Sequence, residues 1–324
     1  MAEYVVEMRD IVKDFPGLRA NDHITLQLKK GEVHALLGEN GAGKSTLMSI
    51  LFGLYRADEG QILVKGKEVQ ITNPNVANEL GIGMVHQHFK LVHNFTVTEN
   101  IVLGLEPRRG VTMDLKSAAA RIAELSRQYG LEVDPNAKIE EISVGMQQRV
   151  EILKMLYRDA EVLIFDEPTA VLTPMEIREL IAIMKNLISE GKSIILITHK
   201  LKEIKEVADR CTIIRRGRHI ATVDVAATSE QEMAEMMVGH EISFVIDKEE
   251  KTPGDPVLQI EDLSVKNSHG SLGLRDFSLT VRGGEIVGIA GVDGNGQSEL
   301  VEAITGLRRA EKGKILLNGE EITH

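Results

Sequence analysis

The stretch Gly38–Thr46 places the strongest constraint on what this chain can fold into. It reads Gly-Glu-Asn-Gly-Ala-Gly-Lys-Ser-Thr and fits the phosphate-binding pattern G-x-x-x-x-G-K-[ST]. A short apolar run, Val33–Leu37, precedes the loop, and apolar residues at helical spacing follow it. A strand, a glycine loop and a helix in this order predict an α/β fold that binds phosphate at the helix N-terminus.

The loop contains the residue types that phosphate binding requires. Its glycines let backbone N–H groups close around phosphate oxygens, Lys44 is expected to reach the terminal phosphates, and the Ser45 hydroxyl is expected to bind Mg²⁺. A glycine-rich turn without a ligand is the alternative, which the flanking strand and helix disfavour. We assign nucleotide binding to the loop residues Gly38, Asn40, Gly41, Gly43, Lys44, Ser45 and Thr46.

Two carboxylates follow a second apolar run, Val162–Phe165. A parallel strand that ends this way places its acids at the sheet edge where open α/β sheets bind ligands. Asp166 is expected to hold Mg²⁺, directly or through water, and Glu167 to orient or deprotonate the attacking water. Pro168 disfavours helix at the residue before it, so we predict that Glu167 stays extended at the strand tip.

Four further positions are candidates for the same site. An apolar strand ends on His199, which would contact the γ-phosphate from the shared sheet edge. Gln87 can reach metal or water with its amide oxygen. Ser143 is predicted to be the N-cap of a helix whose free N–H groups form an anion site, and an ordinary capped helix is the alternative that would be favoured without the other motifs. Phe15 either stacks on a base or belongs to the core, and the residues alone do not decide between these roles.

The order of elements predicts two domains joined by a linker. Residues 1–246 alternate strands with helices, as in a mainly parallel α/β sheet. Residues 247–256 are charged and contain proline, as linkers do. In residues 257–324 the opening repeats with an offset of 253 positions, so that Gly38 returns as Gly291 and Gly43 as Gly296. Because a half sheet cannot bury its faces well, we expect the chain to be a fragment or the product of a shortened reading frame.

Composition narrows the class of function. The net charge of -11 argues against a broad basic surface, so no nucleic-acid partner is expected. Cys211 is the single cysteine, which excludes an intramolecular disulfide and fits a reducing compartment. The N-terminus does not read as a signal peptide, and no apolar run reaches about 18 residues. Work at a membrane would therefore require a membrane-spanning partner.

Together these segments resemble the ATP-binding subunits of ABC transporters over essentially the whole chain. The phosphate loop, Gln87, the Ser143 segment, Asp166-Glu167 and His199 occur in that family's order. Tandem nucleotide-binding domains are similar to those of sugar and nucleoside importers. The sequences at 15–17, 84–89 and 167–174 resemble the nucleoside branch. The resemblance implies a P-loop NTPase fold with an antiparallel β-subdomain, a helical subdomain at about 90–157 and a partial second copy.

The resemblance also implies roles and partners. The cofactors would be ATP and Mg²⁺, and hydrolysis would drive solute import at the cytoplasmic face of the cell membrane. The partners would be transmembrane permease subunits, an extracytoplasmic substrate-binding lipoprotein, and a second nucleotide-binding domain packed head to tail. Phe15 would stack on adenine, and the Gln87 loop would meet the permease. The implied catalytic residues are Glu167, His199 and Gln87; Ser143 and Gly145 would bind nucleotide; and Ser45, Gln87 and Asp166 would bind the metal.

Three departures from the family pattern qualify these expectations. The usual Leu-Ser-Gly-Gly-Gln signature is Ile-Ser-Val-Gly-Met at 142–146, and the usual aspartate of the next loop is Thr173, which fits a capping box instead. In the second copy Gln297 replaces the lysine and Glu299 the threonine. The altered signature would face the altered loop, so we expect that composite site to bind or hydrolyse nucleotide poorly. We also expect little ATPase activity from this chain alone.

Other functions also fit these motifs. A monosaccharide importer differs from a nucleoside importer only in its substrate, which the ATPase does not touch. A soluble tandem ATPase acting on ribosomes or RNA usually has two intact sites and a basic linker, unlike this chain. A non-catalytic regulatory fragment is the third alternative.

Overall fold

The computed structural model describes residues 4–86, 89–109, 112–241, 251–268, 270–291 and 294–323. The chain divides into two compact units, Met1–Ile242 and Ser243–His324, and each is described by itself. Of the described helices, none combines the length and the hydropathy needed to cross a bilayer.

The first unit is built on a 10-stranded mixed sheet with helices on its faces. Its strands are β1 (Tyr4–Phe15), β2 (Leu18–Lys29), β3 (Val33–Leu37), β4 (Glu59–Val64), β5 (Lys67–Val69), β6 (Ile82–Val85), β7 (Arg108–Arg109), β8 (Thr112–Met113), β9 (Val162–Asp166), β10 (Ser193–Thr198), β11 (Arg210–Arg215) and β12 (Arg218–Asp224), of which β7 and β8 form a separate hairpin. Its helices are α1 (Lys44–Leu51), α2 (Pro74–Glu79), α3 (Val97–Val102), α4 (Leu115–Tyr129), α5 (Val144–Tyr157), α6 (Pro174–Ser189), α7 (Leu201–Val207) and α8 (Glu230–Val238).

Five parallel strands form the core half of the sheet, in the order β11-β3-β10-β9-β6 with β6 at the sheet edge. They are short and apolar because helices cover both of their faces. In β9, Leu163 and Phe165 join the core cluster packed under α3 to α6, whereas Val162 and Ile164 join the cluster beneath α1. The predicted mainly parallel core sheet is confirmed, and its carboxyl ends lie along one edge.

Antiparallel strands extend this sheet. β1, β2, β4 and β5 pair antiparallel to one another. They meet the central strands through β12, whose Arg218 pairs with Asp22 of β2. The resemblance predicts an antiparallel β-subdomain, and these strands form it as a continuation of the core sheet.

Local sequence signals fix several helix ends as predicted. Thr173 caps α6 in a capping box with Glu176, and Pro174 occupies the first helical position. Ser143 caps α5, accepting a hydrogen bond from the Met146 N–H at 3.3 Å. Each cap satisfies N–H groups that have no partner inside the helix. These helices therefore begin where short-range chemistry places them.

The second unit is smaller and has its own core. Its elements are β13 (Pro256–Lys266), β14 (Leu272–Arg282), α9 (Gln297–Ile304), β15 (Lys312–Leu317) and β16 (Glu320–Glu321). The strands form one sheet in the order β14-β13-β15-β16, and Leu300 and Ala303 of α9 pack on it. Residues 247–250 of the predicted linker lie outside the described residues, and Pro256 already belongs to β13.

The repeat is incomplete at the level of structure. Residues 286–290 correspond to β3 by the offset but do not form a strand, and Ile286 and Ile289 are 86% and 51% exposed. In the first unit β3 pairs with β10 and β11 on either side. The described residues of the second unit offer no parallel strand to take those places, so this apolar segment stays unpaired.

Candidate functional site

The phosphate loop connects β3 to α1 at the carboxyl edge of the sheet. Gly41 and Gly43 have φ values of 82° and 98°, which only glycine adopts without strain. A Cβ atom added at Gly43 would lie 2.3 Å from the Ala20 carbonyl oxygen, and one added at Gly38 would lie 2.5 Å from that of Ile214. The loop therefore rests directly on β2 and β11, and its outer side presents the N–H groups that begin α1.

Lys44 lies inside this loop. It is 5% exposed, and its Nζ donates hydrogen bonds to the carbonyl oxygens of Gly38 at 2.7 Å and Glu39 at 2.9 Å. Burial lowers the pKa of the Lys44 ammonium, while the carboxylates of Glu167 and Asp166 act in the opposite direction. The Lys44 ammonium is thus held by two loop carbonyl oxygens, within electrostatic reach of Glu167 and Asp166. Asn40 and Ser45 are exposed on the loop, and Thr46 is half-buried.

Asp166 ends β9 next to this loop. Its carboxylate is 7% exposed, and the Ser45 hydroxyl lies 3.4 Å from its Oδ1. Burial raises the pKa of Asp166, and the nearby Glu167 adds to that shift, whereas Ser45 and Lys44 oppose it. A buried carboxylate beside a hydroxyl is a set of oxygen ligands that suits Mg²⁺.

Glu167 corrects one prediction. We predict an extended residue, but its φ is +46°, in the left-handed region. Its N–H stays in the sheet and donates to the Ile197 carbonyl of β10 at 3.0 Å, while its own carbonyl accepts from the Ala170 N–H at 3.3 Å. The chain must turn sharply between these bonds, and the left-handed conformation achieves this at roughly 1–2 kcal/mol for a residue other than glycine. Backbone strain of this kind concentrates at functional sites.

His199 approaches Glu167 from the end of β10. Its Nδ1 lies 3.3 Å from Glu167 Oε1, and its side chain is 46% exposed. The two side chains come from neighbouring parallel strands, so the sheet register brings them together. The histidine can therefore orient the carboxylate while keeping a ring nitrogen open to a ligand.

Phe15 packs against an aromatic partner that the sequence reasoning missed. Its ring meets Tyr55 edge to face, with centroids 5.4 Å apart at 79°. Tyr55 follows α1 and is 46% exposed, and Lys13 Nζ lies 5.5 Å from the Phe15 ring centroid. An exposed aromatic after the phosphate-loop helix is the only sequence signal for this pair. Phe15 is half-buried, so a face for base stacking is compatible with its position.

The structure does not join the Ser143 segment to the phosphate loop. In the described parts of the chain no hydrogen bond links Ser143 or Gly145 to that loop. Instead, Glu176 reaches the start of α5, where its Oε1 would lie 2.5 Å from a Cβ added at Gly145. Hydrogen bonds from the backbone of Thr173, chiefly, and of Gly145 lower the pKa of Glu176. The capping-box sequence predicts the bond to Thr173, but not the one to Gly145.

Gln87, predicted to reach the metal and the attacking water, lies outside the described residues. The preceding His86 is half-buried and meets Phe52 edge to face at 5.9 Å. Gln87 therefore stays a prediction from sequence.

The second loop reproduces part of this geometry. Gly296 begins α9 with a φ of 96°, close to the 98° of Gly43. The amide nitrogen of Gln297 would contact a Cβ added at Gly291, so this side chain covers the start of its loop as Lys44 does. The Gln297 amide is uncharged and so cannot form an ion pair with a phosphate, and Glu299 adds a carboxylate to the first turn of α9.

Solved structures with this fold define the class of the first unit. An ATP-binding cassette of an ABC transporter in its ADP conformation aligns with a TM-score of 0.63 and 24% identity, covering 72% of this chain and 95% of that one. CbiO1 from Clostridium perfringens, part of the transporter complex cbiONQ, aligns with a TM-score of 0.61 and 27% identity, covering 69% and 89%. The fold and the phosphate loop together are those of an ATP-binding cassette, as predicted.

The sequence comparisons give the family. The sequence model of the ABC transporter family matches residues 21–170 and 274–324, so the chain belongs to that family. It is 61% identical over 322 residues to the nucleoside import ATP-binding protein NupA of Lactococcus lactis, covering 99% of this chain and 64% of that protein. It is 62% identical over 320 residues to the guanosine import ATP-binding protein NupO of Bacillus subtilis, covering 99% and 63%. The chain thus spans less than two thirds of these relatives. Family membership implies binding of ATP.

The buried charge of Asp166 predicts a gain in stability when it is removed. Burial raises the pKa of this carboxyl in the folded protein. The charged carboxylate therefore lowers the free energy of unfolding once the pH exceeds the pKa that the group has in the unfolded chain. We expect Asp166→Asn to raise the free energy of unfolding by about 1 kcal/mol at pH about 7.5 without Mg²⁺, and by less at pH about 5. Urea unfolding at both pH values measures this. A variant that is less stable than wild type at the higher pH would contradict it.

Proposed function

We propose that this protein is the ATP-hydrolysing subunit of an importer for nucleosides. The observation that carries the proposal is the convergence of a buried Lys44, the Ser45–Asp166 pair and the Glu167–His199 pair at one sheet edge. These groups supply phosphate binding, metal binding and a base for water. The names of NupA and NupO, at 61% and 62% identity, favour nucleosides as the imported solute.

The residues at this edge fit a nucleotide with Mg²⁺. The glycine loop leaves the N-terminus of α1 open, and the buried Asp166 carboxylate lies 3.4 Å from the Ser45 hydroxyl. Among the described residues no ion pair to Asp166 is found, so its charge is left for a metal ion to neutralise. Ser45 and Asp166 would hold the ion, and Gln87 is a third candidate ligand from sequence. When bound, Mg²⁺ neutralises charge on the β- and γ-phosphates.

Each protein group then has a defined task in hydrolysis. The loop N–H groups and Lys44 bind the phosphate oxygens and stabilise the charge that the leaving phosphate develops. Glu167 accepts a proton from the water that attacks the γ-phosphorus, in line with the leaving oxygen. His199, 3.3 Å from Glu167 Oε1, orients that carboxylate and would contact the γ-phosphate from the end of β10. Phe15 and Tyr55 provide the surface for the adenine ring.

The assembly follows from the tandem sequence pattern. We assign residues 1–246 to a first nucleotide-binding domain, with its helical subdomain at about 90–157, and residues 257–324 to part of a second. The two matches of the family model, at 21–170 and 274–324, support this division. The second copy has Gln297 in place of the lysine, which supports a second site that binds or hydrolyses nucleotide poorly.

The partners would be membrane proteins. Permease subunits would carry the solute across the membrane, an extracytoplasmic lipoprotein would deliver it, and this protein would act at the cytoplasmic face. Closure of the paired domains on ATP would pull on the permeases. No sequence feature calls for a nucleic-acid partner, given the net charge of -11.

Uptake in whole cells tests the proposed function. Cells that lack the gene are expected to lose uptake of labelled nucleosides and to keep uptake of labelled ribose and galactose. The wild-type gene should restore nucleoside uptake, and the same gene carrying Lys44→Ala should not. Loss of sugar uptake with normal nucleoside uptake would support a monosaccharide importer instead. Normal uptake of both, with sedimentation of the protein in the ribosome fraction, would support a soluble ATPase.

A further inference from the structure

Asn21 is a buried polar residue behind the phosphate loop that none of the assigned roles uses. It lies in β2 and is 0% exposed. Its Nδ2 donates a hydrogen bond to the Gly43 carbonyl oxygen at 3.0 Å. Its Oδ1 is the one buried side-chain polar atom of the described residues that has no hydrogen-bond partner. An unpaired buried acceptor lowers stability, so this amide is not explained by the fold alone.

The bond to Gly43 acts on the peptide group that begins α1. In a trans peptide the C=O and the following N–H point in opposite directions, so the direction of the Gly43 carbonyl sets that of the Lys44 N–H. The Asn21 amide donates to this carbonyl from β2, so the Lys44 N–H points away from the amide. A hydrogen bond accepted by the carbonyl also polarises the peptide and makes its N–H a stronger donor.

The close packing of β2 against the loop leaves little space around Gly43. A Cβ added at Gly43 would lie 2.3 Å from the Ala20 carbonyl oxygen and 2.7 Å from Asn21 Nδ2. The same Gly43 carbonyl also accepts the first helical hydrogen bond, from the Leu47 N–H at 3.0 Å. The Asn21 amide and the Leu47 N–H therefore share the Gly43 carbonyl oxygen. This oxygen lies on the opposite side of the peptide from the Lys44 N–H, which would face the nucleotide.

The second unit provides an internal comparison. The offset of 253 positions pairs Asn21 with Leu274, which is 8% exposed and belongs to the core of that unit. Gly296 nevertheless has φ and ψ of 96° and 2°, against 98° and 6° at Gly43. The loop glycine thus adopts the same conformation with leucine behind it. Asn21 thus lies behind the loop that contains Lys44, and Leu274 lies behind the loop that contains Gln297.

We propose that Asn21 is a positioning residue for phosphate binding, whose hydrogen bond to the Gly43 carbonyl polarises the Gly43–Lys44 peptide so that its N–H binds a nucleotide phosphate more tightly. The inference rests on the proposed ATP site. It explains why a buried amide with an unpaired oxygen occupies a place where leucine satisfies the same fold. The amide lowers stability and strengthens a phosphate contact, so substitution should move the two properties in opposite directions.

Two measurements on the whole 324-residue chain test this. Asn21→Leu is expected to have a urea unfolding midpoint equal to or above that of wild type without nucleotide. Its dissociation constant for Mg-ATP, measured by calorimetry, is expected to rise roughly three- to tenfold, the effect of one lost hydrogen bond. Asn21→Ala removes the same donor without adding volume and should raise the dissociation constant to a similar extent. A structural role alone predicts weaker ATP binding only in a variant that is also less stable.

Leu274→Asn is the matched control in the second unit. It should lower the unfolding midpoint and leave the Mg-ATP dissociation constant at the wild-type value. Wild-type ATP affinity in both Asn21 variants would overturn the proposal for Asn21 while leaving the ATP site intact. ATP binding that does not weaken in Lys44→Ala would overturn the proposed site itself, and with it this inference.

Discussion

Glutamine in place of Glu167 is expected to lower the rate of ATP hydrolysis about 10²–10⁴-fold, the usual effect of removing a general base. The amide keeps the shape of the side chain but cannot accept the proton of the attacking water. The strained backbone at φ +46° and the contact with His199 at 3.3 Å hold this side chain in position, so a small displacement cannot replace its chemistry. ATP binding should persist, because the phosphate contacts come from the loop in the proposed function.

Turnover of the assembled transporter, measured as phosphate release, together with the ATP dissociation constant, checks this expectation. Glu124→Gln, on the exposed face of α4, makes the same chemical change away from the site and should have wild-type turnover. A fall of less than a few-fold in Glu167→Gln would show that another group takes the proton. A large loss of ATP affinity would show that Glu167 acts mainly in binding.

Alanine in place of Lys44 is expected to weaken ATP binding by up to about 10³-fold. A unit charge about 4 Å from a phosphate contributes on the order of 4 kcal/mol at an effective dielectric of about 20. Lysine usually loses much of this gain because it must give up water on binding. Lys44 is 5% exposed in the folded protein, so most of that desolvation has already occurred during folding.

Calorimetric titration with Mg-ATP measures the change. Gln297→Ala alters the corresponding position of the second loop and serves as the control, with affinity at the first site unchanged. The stability of Lys44→Ala should be close to that of wild type. The variant loses two hydrogen bonds, to Gly38 and Glu39, but also removes a buried charge whose pKa is lowered by burial. Wild-type affinity in Lys44→Ala would overturn the proposed ATP site at this loop.

Stability and function oppose each other at three places in this site. Asp166 keeps a buried carboxylate, Glu167 keeps a left-handed backbone, and Asn21 keeps an unpaired amide oxygen. Each lowers the stability of the free protein. In the proposed function Asp166 and Glu167 lie beside the nucleotide phosphates, and Asn21 acts on the phosphate loop from behind. Binding of a nucleotide with its cation would offset the cost of the buried charge at Asp166 directly, since an opposite charge favours the ionised carboxylate.

Most of the fold could be predicted from the sequence, because its signals are local. The phosphate loop, the apolar strand with two acids at its end and the capping boxes at Thr96 and Thr173 each depend on residues a few positions apart. In parallel α/β sheets such strands share one carboxyl edge. That rule brings Lys44, Asp166 and His199 together without knowledge of the tertiary structure.

The candidate site was predicted less completely where a residue depends on distant neighbours. The extended Glu167 is the prediction that is wrong. Pro168 disfavours only the right-handed helical region, and the bond from Glu167 to Ile197 of another strand selects the left-handed turn. Similarly, nothing near Phe15 in the sequence indicates that Tyr55 packs on its ring, and nothing near Gly145 indicates the contact with Glu176.

By itself, then, the sequence determined that this chain builds a phosphate-binding α/β domain with acids and a histidine at its ligand edge, since hydrophobic periodicity, glycine spacing and caps act over a few residues. Only the tertiary structure decided the state of each group there: Lys44 buried, Glu167 turned, and Asn21 set against Gly43. The reason is physical. Burial, strand register and the hydrogen bonds that reach a carbonyl depend on which distant segments pack together, and the same loop glycine conformation accepts either asparagine or leucine behind it.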